Sequence, residues 1–195
     1  PLEARTLARL AAHHAGTGAG SVVGFGLSND ERRGDTREFA AAFGIAERAG
    51  LALLPHAGEL LGAEAVAETL DSLRPDRLGH GVRCVEDPAV PERVVASGVA
   101  LEVCPGSNVA LGVYAEAADV PLRRLVDAGA TVALGADDPV IFGSRLAEQY
   151  TTAREVHGID DAGLAALAVA SLRASRAPSD VVAAATRDVD AWLRT

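Results

Sequence analysis

Short apolar runs alternate with longer amphipathic stretches along most of this chain. The apolar runs lie at residues 21–25, 51–54, 99–103 and 131–134, and a further brief strand is expected to start at residues 76–78. Helical periodicity covers residues 2–14, 36–48, 63–73, 88–97, 120–128, 144–156, 161–171 and 179–193. Nearly continuous apolar strands joined by helices are typical of parallel sheets covered on both faces. The pattern therefore predicts an α/β fold with five parallel strands.

Two architectures fit this alternation, an open doubly wound sheet and a (β/α)8 barrel. His56, His80 and Asp137 each follow a different apolar run, and the reactive residues of a barrel come from the C-terminal ends of several strands. The Gly-Phe-Gly at 24–26 lacks the third glycine of a dinucleotide-binding fingerprint. We therefore expect a partial (β/α)8 TIM-type barrel, with about five of the eight strands and extra C-terminal helices. It is expected to form a single domain over residues 1–195.

Composition narrows the class of protein further. The chain has a net charge of −9 and 49% hydrophobic residues, which is typical of a globular protein. Its basic residues are all arginines and form no stripe interleaved with aromatics, so we expect no nucleic acid polymer as a partner. No apolar stretch is long enough to span a bilayer, so we expect no membrane association.

Two further features concern the origin of the chain. Cys84 and Cys104 have no Cys-x-x-Cys spacing, so we expect reduced thiols and a cytoplasmic location. The chain begins at Pro1 and contains no methionine. We therefore expect it to be a portion of a longer protein.

The first two polar clusters contain histidines. His-Ala-Gly-Glu occupies residues 56–59. A histidine at a strand end can ligate a divalent metal, while a glutamate three residues further can move protons at a substrate. His80 lies between Gly79 and Gly81, where the backbone can approach a ligand closely. Ordinary surface turns also contain such residues, so each cluster alone leaves that interpretation open.

Asp137 and Asp138 form the third cluster, directly before Pro139. Two adjacent carboxylates repel each other, which favours a nearby cation or a substrate proton. The alternative is an aspartate N-cap with proline in the first helical turn, and Asp138 could cap while Asp137 binds metal. A metal is favoured for hydrolysis because it lowers the pKa of water from about 15.7 to about 7.

Four motifs together resemble the adenosine deaminase family of metal-dependent aminohydrolases. They are His-Ala-Gly-Glu at 56–59, Arg-Leu-Gly-His-Gly at 77–81, Leu-Glu-Val-Cys-Pro-Gly-Ser-Asn at 101–108 and Ala-Asp-Asp-Pro at 136–139. The resemblance runs from about residue 22 to residue 150, the family's C-terminal portion. It implies zinc-dependent hydrolytic deamination of an adenine-containing nucleoside, of the adenosine or 6-aminodeoxyfutalosine type. The products would be the 6-oxopurine and ammonia.

The same resemblance implies roles for single residues. His56 and Asp137 would be zinc ligands. Glu59 would protonate N1 of the purine, and His80 would orient and deprotonate the attacking water. Asp138 would accept a hydrogen bond at purine N7. The third motif also contains residues that we expect to be structural, namely Glu102, Cys104, Ser107 and Asn108.

Two departures from the family pattern limit what the resemblance implies. The family's first strand carries a His-x-His pair of zinc ligands, which this chain lacks. The adjacent His13 and His14 would point to opposite sides of a strand and are not expected to replace the pair. Asn29 stands where true adenosine deaminases usually have a glycine whose backbone contacts purine N3. We count Asn29 as a substrate-binding residue and leave the exact substrate open.

Two alternatives belong to other functional classes. One is a catalytically inactive chain, or a module that needs a partner to supply the missing barrel strands. Because a partial barrel leaves strand edges unpaired, we expect such a chain to self-associate when no partner is present. The other is a metal hydrolase acting on an amide or ester. Glu59 argues against it, since those relatives lack an acid placed to reach a ring nitrogen.

Overall fold

The computed structural model describes residues 2–195, which divide between Val99 and Ala100 into two compact units. Each unit contains parallel strands and helices, so the α/β class expected from the sequence is confirmed. The single domain expected over residues 1–195 stays a prediction.

The first unit contains three strands, β1 (Gly24–Leu27), β2 (Ala52–Ala57) and β3 (Arg77–His80). Its helices are α1 (Leu2–His13), α2 (Ala40–Arg48), α3 (Ala63–Leu73) and α4 (Ala89–Ser97). Two 3₁₀ turns, at Thr36–Phe39 and Val82–Glu86, follow the loops after β1 and β3.

The second unit contains two strands, β4 (Ala100–Val103) and β5 (Thr131–Leu134). Its helices are α5 (Pro105–Ala110), α6 (Leu122–Asp127), α7 (Pro139–Phe142), α8 (Leu146–Glu155), α9 (Asp161–Ala174) and α10 (Ser179–Leu193). A 3₁₀ turn at Ala117–Asp119 precedes α6. Helix α9 packs against β5, and α10 packs against α9. The two helices α9 and α10 match the helical stretches expected after the last strand.

Strand pairing is parallel in both units. In the first unit β1 pairs with β2, with Gly24 opposite Ala52, and β2 pairs with β3, with His56 opposite Gly79. In the second unit β4 pairs with β5, with Ala100 opposite Thr131. The strands therefore place their carboxyl ends, and the polar clusters that follow them, at the same edge within each unit.

An aspartate fixes the start of the β2–β3 pairing. The backbone N–H of Leu53 donates to Oδ2 of Asp76 at 2.8 Å, and the backbone N–H of Asp76 donates to the carbonyl of Leu53 at 2.9 Å. Asp76 thus binds both polar groups of one β2 residue just before β3 begins. This pair of bonds holds the strands in register before the polar residues at their ends are reached.

The structure corrects several element boundaries. The first strand was expected at 21–25 but runs from Gly24 to Leu27, because Val22 instead forms an isolated bridge with Ala15, the residue that follows the turn after α1. The helix expected at 36–48 begins as a 3₁₀ turn and becomes α-helical only at Ala40. Periodicity did not predict α5 or α7, because six and four residues are too few to show a helical period, and α7 was considered only through the N-cap alternative for Asp138.

Each unit has its own apolar core. In the first, Phe43 of α2 packs with residues of β2 and α3, and its ring lies edge-on to that of Phe25 with centroids 5.3 Å apart. In the second, the side chains of Leu101, Val103 and Leu125 are fully buried. Edge-on aromatic pairs of this kind add to the free energy gained from burial.

Two expectations drawn from composition can be compared with the structure. Cys84 and Cys104 are both buried, and neither forms a disulfide among residues 2–195. No helix within residues 2–195 is both long enough and apolar enough to cross a bilayer.

The core of the first unit yields a stability prediction. Replacing Phe43 with Ala removes a ring that is only 2% exposed, so the free energy of unfolding should fall by about 3–5 kcal/mol. Urea denaturation followed by circular dichroism measures the change. Replacing Leu7, which is 59% exposed on α1, with Ala is the control and should change stability by less than about 0.5 kcal/mol. Equal losses in both variants would contradict the assigned core.

Candidate active site

The carboxyl end of β2 carries the imidazole of His56 across from a glycine of β3. A Cβ atom added at Gly79 would lie 2.6 Å from His56 Nδ1 and 2.7 Å from Cγ of the same ring. Real Cβ contacts are not that short, so the ring occupies the space that only a glycine leaves free. The glycine before His80 in the sequence therefore makes room for the histidine of the neighbouring strand.

Glu59 and His80 form a buried polar pair. Oε1 of Glu59 lies 3.3 Å from Nε2 of His80, and the two side chains are only 10% and 3% exposed. A carboxyl and an imidazole within hydrogen-bonding reach can exchange a proton with each other or with a bound molecule. Acids and histidines are seldom this buried unless they are paired or functional.

His80 holds an unusual backbone conformation. Its φ is +63°, in the left-handed region that non-glycine residues seldom adopt. The next residue, Gly81, also has a positive φ and donates its backbone N–H to the carbonyl of Ala57 at 2.9 Å. Backbone strain of this kind is held in place by the surrounding structure and is concentrated at functional sites.

His56 lies beside this pair. The ring centroids of His56 and His80 are 5.2 Å apart, and the rings meet at 64°. The buried Nδ1 atom of His56 has no hydrogen-bond partner among residues 2–195. Such orphaned polar atoms are rare in native structures and call for a specific explanation. An imidazole among a carboxylate and a second imidazole is a donor set that suits a zinc ion.

The loop after β1 borders a cavity of about 230 Å³ that also reaches His56. Asn29 in this loop has a φ of +90°, and its Oδ1 accepts a hydrogen bond from the backbone N–H of Asp30 at 2.8 Å. Asparagine tolerates this region because its short side chain can bond to the local backbone. Asn29 therefore adopts a left-handed backbone conformation that is otherwise typical of glycine.

Glu31 is a residue of the site that sequence reasoning missed. Its carboxylate accepts hydrogen bonds from the backbone N–H groups of the four residues 58–61. Every residue except proline has a backbone N–H group, so the residue types at 58–61 do not indicate that these groups bind Glu31. The only available signal was the position of Glu31 in the loop that carries Asn29.

In the second unit, Asp137 and Asp138 follow β5. Asp137 is exposed and has a φ of +58°. Asp138 is the N-cap of α7, since its Oδ1 accepts from the backbone N–H groups of Val140 and Ile141, each at 3.0 Å. The capping interpretation of Asp138 is therefore confirmed, with Pro139 in the first helical turn.

The motif at 101–108 is part of the second unit's interior. Ser107 and Asn108 are buried at the start of α5, and Gln149 of α8 accepts a hydrogen bond from the backbone N–H of Gly106 at 2.9 Å. A Cβ atom added at Gly135, just after β5, would lie 2.9 Å from Sγ of Cys104. These contacts agree with the structural role expected for the motif.

The structure places four of the expected site residues in the first unit. It brings His56, Glu59 and His80 together in the first unit, with Asn29 at the end of the adjacent strand β1. His13 and His14 lie at the end of α1, where their rings are 5.0 Å apart.

Comparisons with known proteins agree with this arrangement. The sequence profile of the family described as adenosine deaminase matches residues 1–192. A Streptomyces coelicolor protein provisionally named adenosine/adenine deaminase is 58% identical over 193 residues, which cover 99% of this chain and 55% of that protein. The chain therefore belongs to the adenosine deaminase family.

Solved structures support the fold. The crystal structure of an adenine deaminase from Arthrobacter aurescens matches 99% of this chain with a TM-score of 0.89 and 34% identity. An amidohydrolase from Burkholderia ambifaria with bound Zn matches all of the chain with a TM-score of 0.87 at 23% identity, which shows the fold alone. These neighbours are TIM barrels, so the expected barrel portion is confirmed.

The chain spans about half the length of the proteins it matches. It covers 55% of the Streptomyces coelicolor relative, 58% of the Arthrobacter aurescens chain and 54% of the Burkholderia ambifaria chain.

The packing of His56 against Gly79 generates a prediction. Replacing Gly79 with Ala should displace the His56 ring and lower the free energy of unfolding by about 1–3 kcal/mol, because the added methyl group overlaps the imidazole. Urea denaturation measures the loss, and imidazole NMR resonances report the displacement.

Gly44 in α2 provides a matched control. A Cβ atom there would lie 3.4 Å from the flexible end of Arg48, so Gly44→Ala should leave stability unchanged or raise it by up to about 1 kcal/mol. Wild-type stability and an unshifted His56 resonance in Gly79→Ala would show that the ring does not depend on this glycine.

Proposed function

We propose that the protein to which this chain belongs is a zinc-dependent deaminase of an adenine-containing substrate, with the base or its nucleoside as the substrate class. Water adds to C6 of the purine, N1 receives a proton, and the bond from C6 to the amino nitrogen breaks. The products are the 6-oxopurine and ammonia. Membership of the adenosine deaminase family supports this reaction class.

The observation that carries the proposal is the buried pair of Glu59 and His80, 3.3 Å apart beside His56. The reaction needs one group that gives a proton to a ring nitrogen and another that takes a proton from water. We propose Glu59 as the donor to N1 and His80 as the group that orients and deprotonates the water. Burial keeps bulk water away from both groups, which strengthens their interaction with a bound purine.

Zinc fits the donor types present. We propose His56 as one ligand, since its buried Nδ1 has no hydrogen-bond partner among residues 2–195. We propose Asp137 as another, because its carboxylate follows β5 and is exposed to solvent. Zinc, when bound, would lower the pKa of a water molecule toward neutrality. The Burkholderia ambifaria amidohydrolase was solved with bound Zn, which supports a metal in this fold.

We propose that two further residues bind the purine. Asn29 would present its backbone N–H to N3, since its left-handed conformation matches that of a glycine. Asp138 would accept a hydrogen bond at N7. Its Oδ1 already caps α7 through two backbone bonds, which fix the orientation of the carboxylate before any ligand arrives.

The names of the relatives favour adenine as the reacting base, either free or as the nucleoside adenosine. The Streptomyces coelicolor protein carries both adenosine and adenine in its name, and the Arthrobacter aurescens enzyme is an adenine deaminase. We propose adenine and adenosine as the first substrates to test, with 6-aminodeoxyfutalosine as a third. Ammonia release from each, measured with a coupled assay, compares them directly.

The decisive test replaces Glu59 with Gln. This change keeps the shape of the side chain but removes its ability to transfer a proton as an acid. The rate of deamination should therefore fall by at least about 10²-fold, within the range measured for general acids. Zinc content, measured by elemental analysis, should stay the same. Normal activity in Glu59→Gln would refute the assigned donor, and loss of zinc would show that Glu59 is a ligand instead.

Glu92 provides the control for this test. It is an exposed acid on α4, so Glu92→Gln should leave both deamination and zinc content unchanged.

A second candidate is a chain that cannot hold zinc by itself. It is favoured by the absence of a His-x-His pair in the sequence, since catalytic zinc sites usually have three protein ligands. Dialysis of the purified chain followed by elemental analysis separates the two cases. About one zinc per chain supports a complete site, whereas no zinc supports an inactive or partner-dependent chain.

A further inference from the structure

We infer that Glu31 is a positioning residue that holds the proton donor Glu59 in place by clamping the backbone of the loop that carries it. The inference rests on the proposed role of Glu59. The hydrogen bonds of Glu31 to this loop all come from backbone N–H groups, so we infer that it acts on Glu59 through the backbone.

Four hydrogen bonds converge on this one carboxylate. Oε1 of Glu31 accepts from the backbone N–H of Glu59 at 2.9 Å and from that of Leu61 at 2.6 Å, and it also accepts from Leu60. Oε2 accepts from the backbone N–H of Gly58 at 2.9 Å. Successive backbone N–H groups that point into one concavity form a site for an anion, and here the chain supplies its own. Bonds to a charged acceptor are stronger than those between neutral groups.

Arg83 holds the opposite side of the same loop. Its Nη1 donates to the carbonyl of Leu60 at 2.6 Å, and its backbone N–H donates to the carbonyl of Gly58 at 3.0 Å. The N–H groups of the loop therefore meet a carboxylate, while its carbonyl groups meet a guanidinium and a backbone donor. Together these contacts restrain the loop from both sides.

The loop needs such a clamp because of the residue before Glu59. Gly58 has a φ of +71° and is packed so tightly that an added Cβ would lie 2.3 Å from Val66. Glycine is required there, yet glycine is also the residue with the greatest backbone freedom. A proton donor must be held to a fraction of an ångström to be effective. Glu31 supplies the restraint that Gly58 cannot.

The clamp also joins two parts of the proposed site. Glu31 lies two residues after Asn29, and the loop between them is folded by the bond from Asp30 N–H to Asn29 Oδ1. The loop proposed to bind the purine base is thereby tied to the loop proposed to protonate it. Base position and donor position are consequently set by one side chain.

The first test measures the clamp without any catalysis. Amide hydrogen exchange is followed by NMR in the full chain for the wild type and for Glu31→Ala, Glu31→Gln and Glu31→Asp. In Glu31→Ala the amides of residues 58–61 should exchange at least about tenfold faster, because four bonds are lost. Glu31→Gln and Glu31→Asp should be intermediate, since glutamine places donors against one N–H group and aspartate is one methylene shorter. Unchanged exchange in Glu31→Ala would refute the clamp.

The second test measures its consequence for the reaction. In Glu31→Ala, kcat should fall by about ten- to a hundredfold, at a temperature where circular dichroism shows the variant to be folded. Acetate, which can enter the vacated position, should restore part of kcat, whereas chloride at the same ionic strength should not. A merely structural role predicts a lower unfolding temperature with normal kcat in the folded fraction and no effect of acetate. That outcome would overturn the inference.

Glu38 supplies the matched control, as an exposed acid in the 3₁₀ turn after the same loop. Glu38→Ala should change neither exchange nor kcat. The two proposals also fail separately. If the wild-type chain deaminates none of the substrates, the proposed function fails, and the exchange measurement still decides whether Glu31 clamps residues 58–61. If the wild type is active and Glu31→Ala equals it in kcat, only the positioning role fails.

Discussion

The constraint on which the first unit depends is the register between β2 and β3. Asp76 binds both backbone groups of Leu53 where the strands begin to pair, and this fixes His56 opposite Gly79 further along. A slip of one residue in either direction would set His56 opposite a residue with a Cβ, and the imidazole would lose its space. It would also turn His80 away from Glu59. One aspartate at the start of a strand therefore determines the chemistry at its end.

Strained backbone conformations occur at several residues near the carboxyl ends of the strands. Asn29, His80 and Asp137 all have positive φ without being glycines, and each lies just after or at the end of a parallel strand. Holding such residues costs on the order of 1–3 kcal/mol each, which the surrounding bonds must offset. Backbone hydrogen bonds help to offset this cost, for example the bond from the N–H of Gly81 to the carbonyl of Ala57.

The sequence predicted the parallel strands and the clusters that follow them because both depend on residue type. Apolar runs and the histidines beside glycines are visible in the chain itself, whereas the contact between Glu59 and His80 is seen only in the structure. The role of Glu31 is not recorded in this way, because its partners are backbone N–H groups that every residue except proline carries. The shift of the first strand depended on Val22 pairing with Ala15, a competition that periodicity does not show.

Asn29 adopts, without being a glycine, a backbone conformation that glycine reaches readily. A glycine reaches positive φ without strain, but it also gives the unfolded chain more conformations to lose on folding. Asparagine has fewer such conformations, and its Oδ1 accepts from Asp30 to stabilise the left-handed backbone. The direction of the backbone N–H is set by φ and ψ, whichever residue is present. With the role proposed for Asn29, a difference in substrate from true adenosine deaminases is expected to come from side chains that line the cavity, among them Arg33 and Phe39.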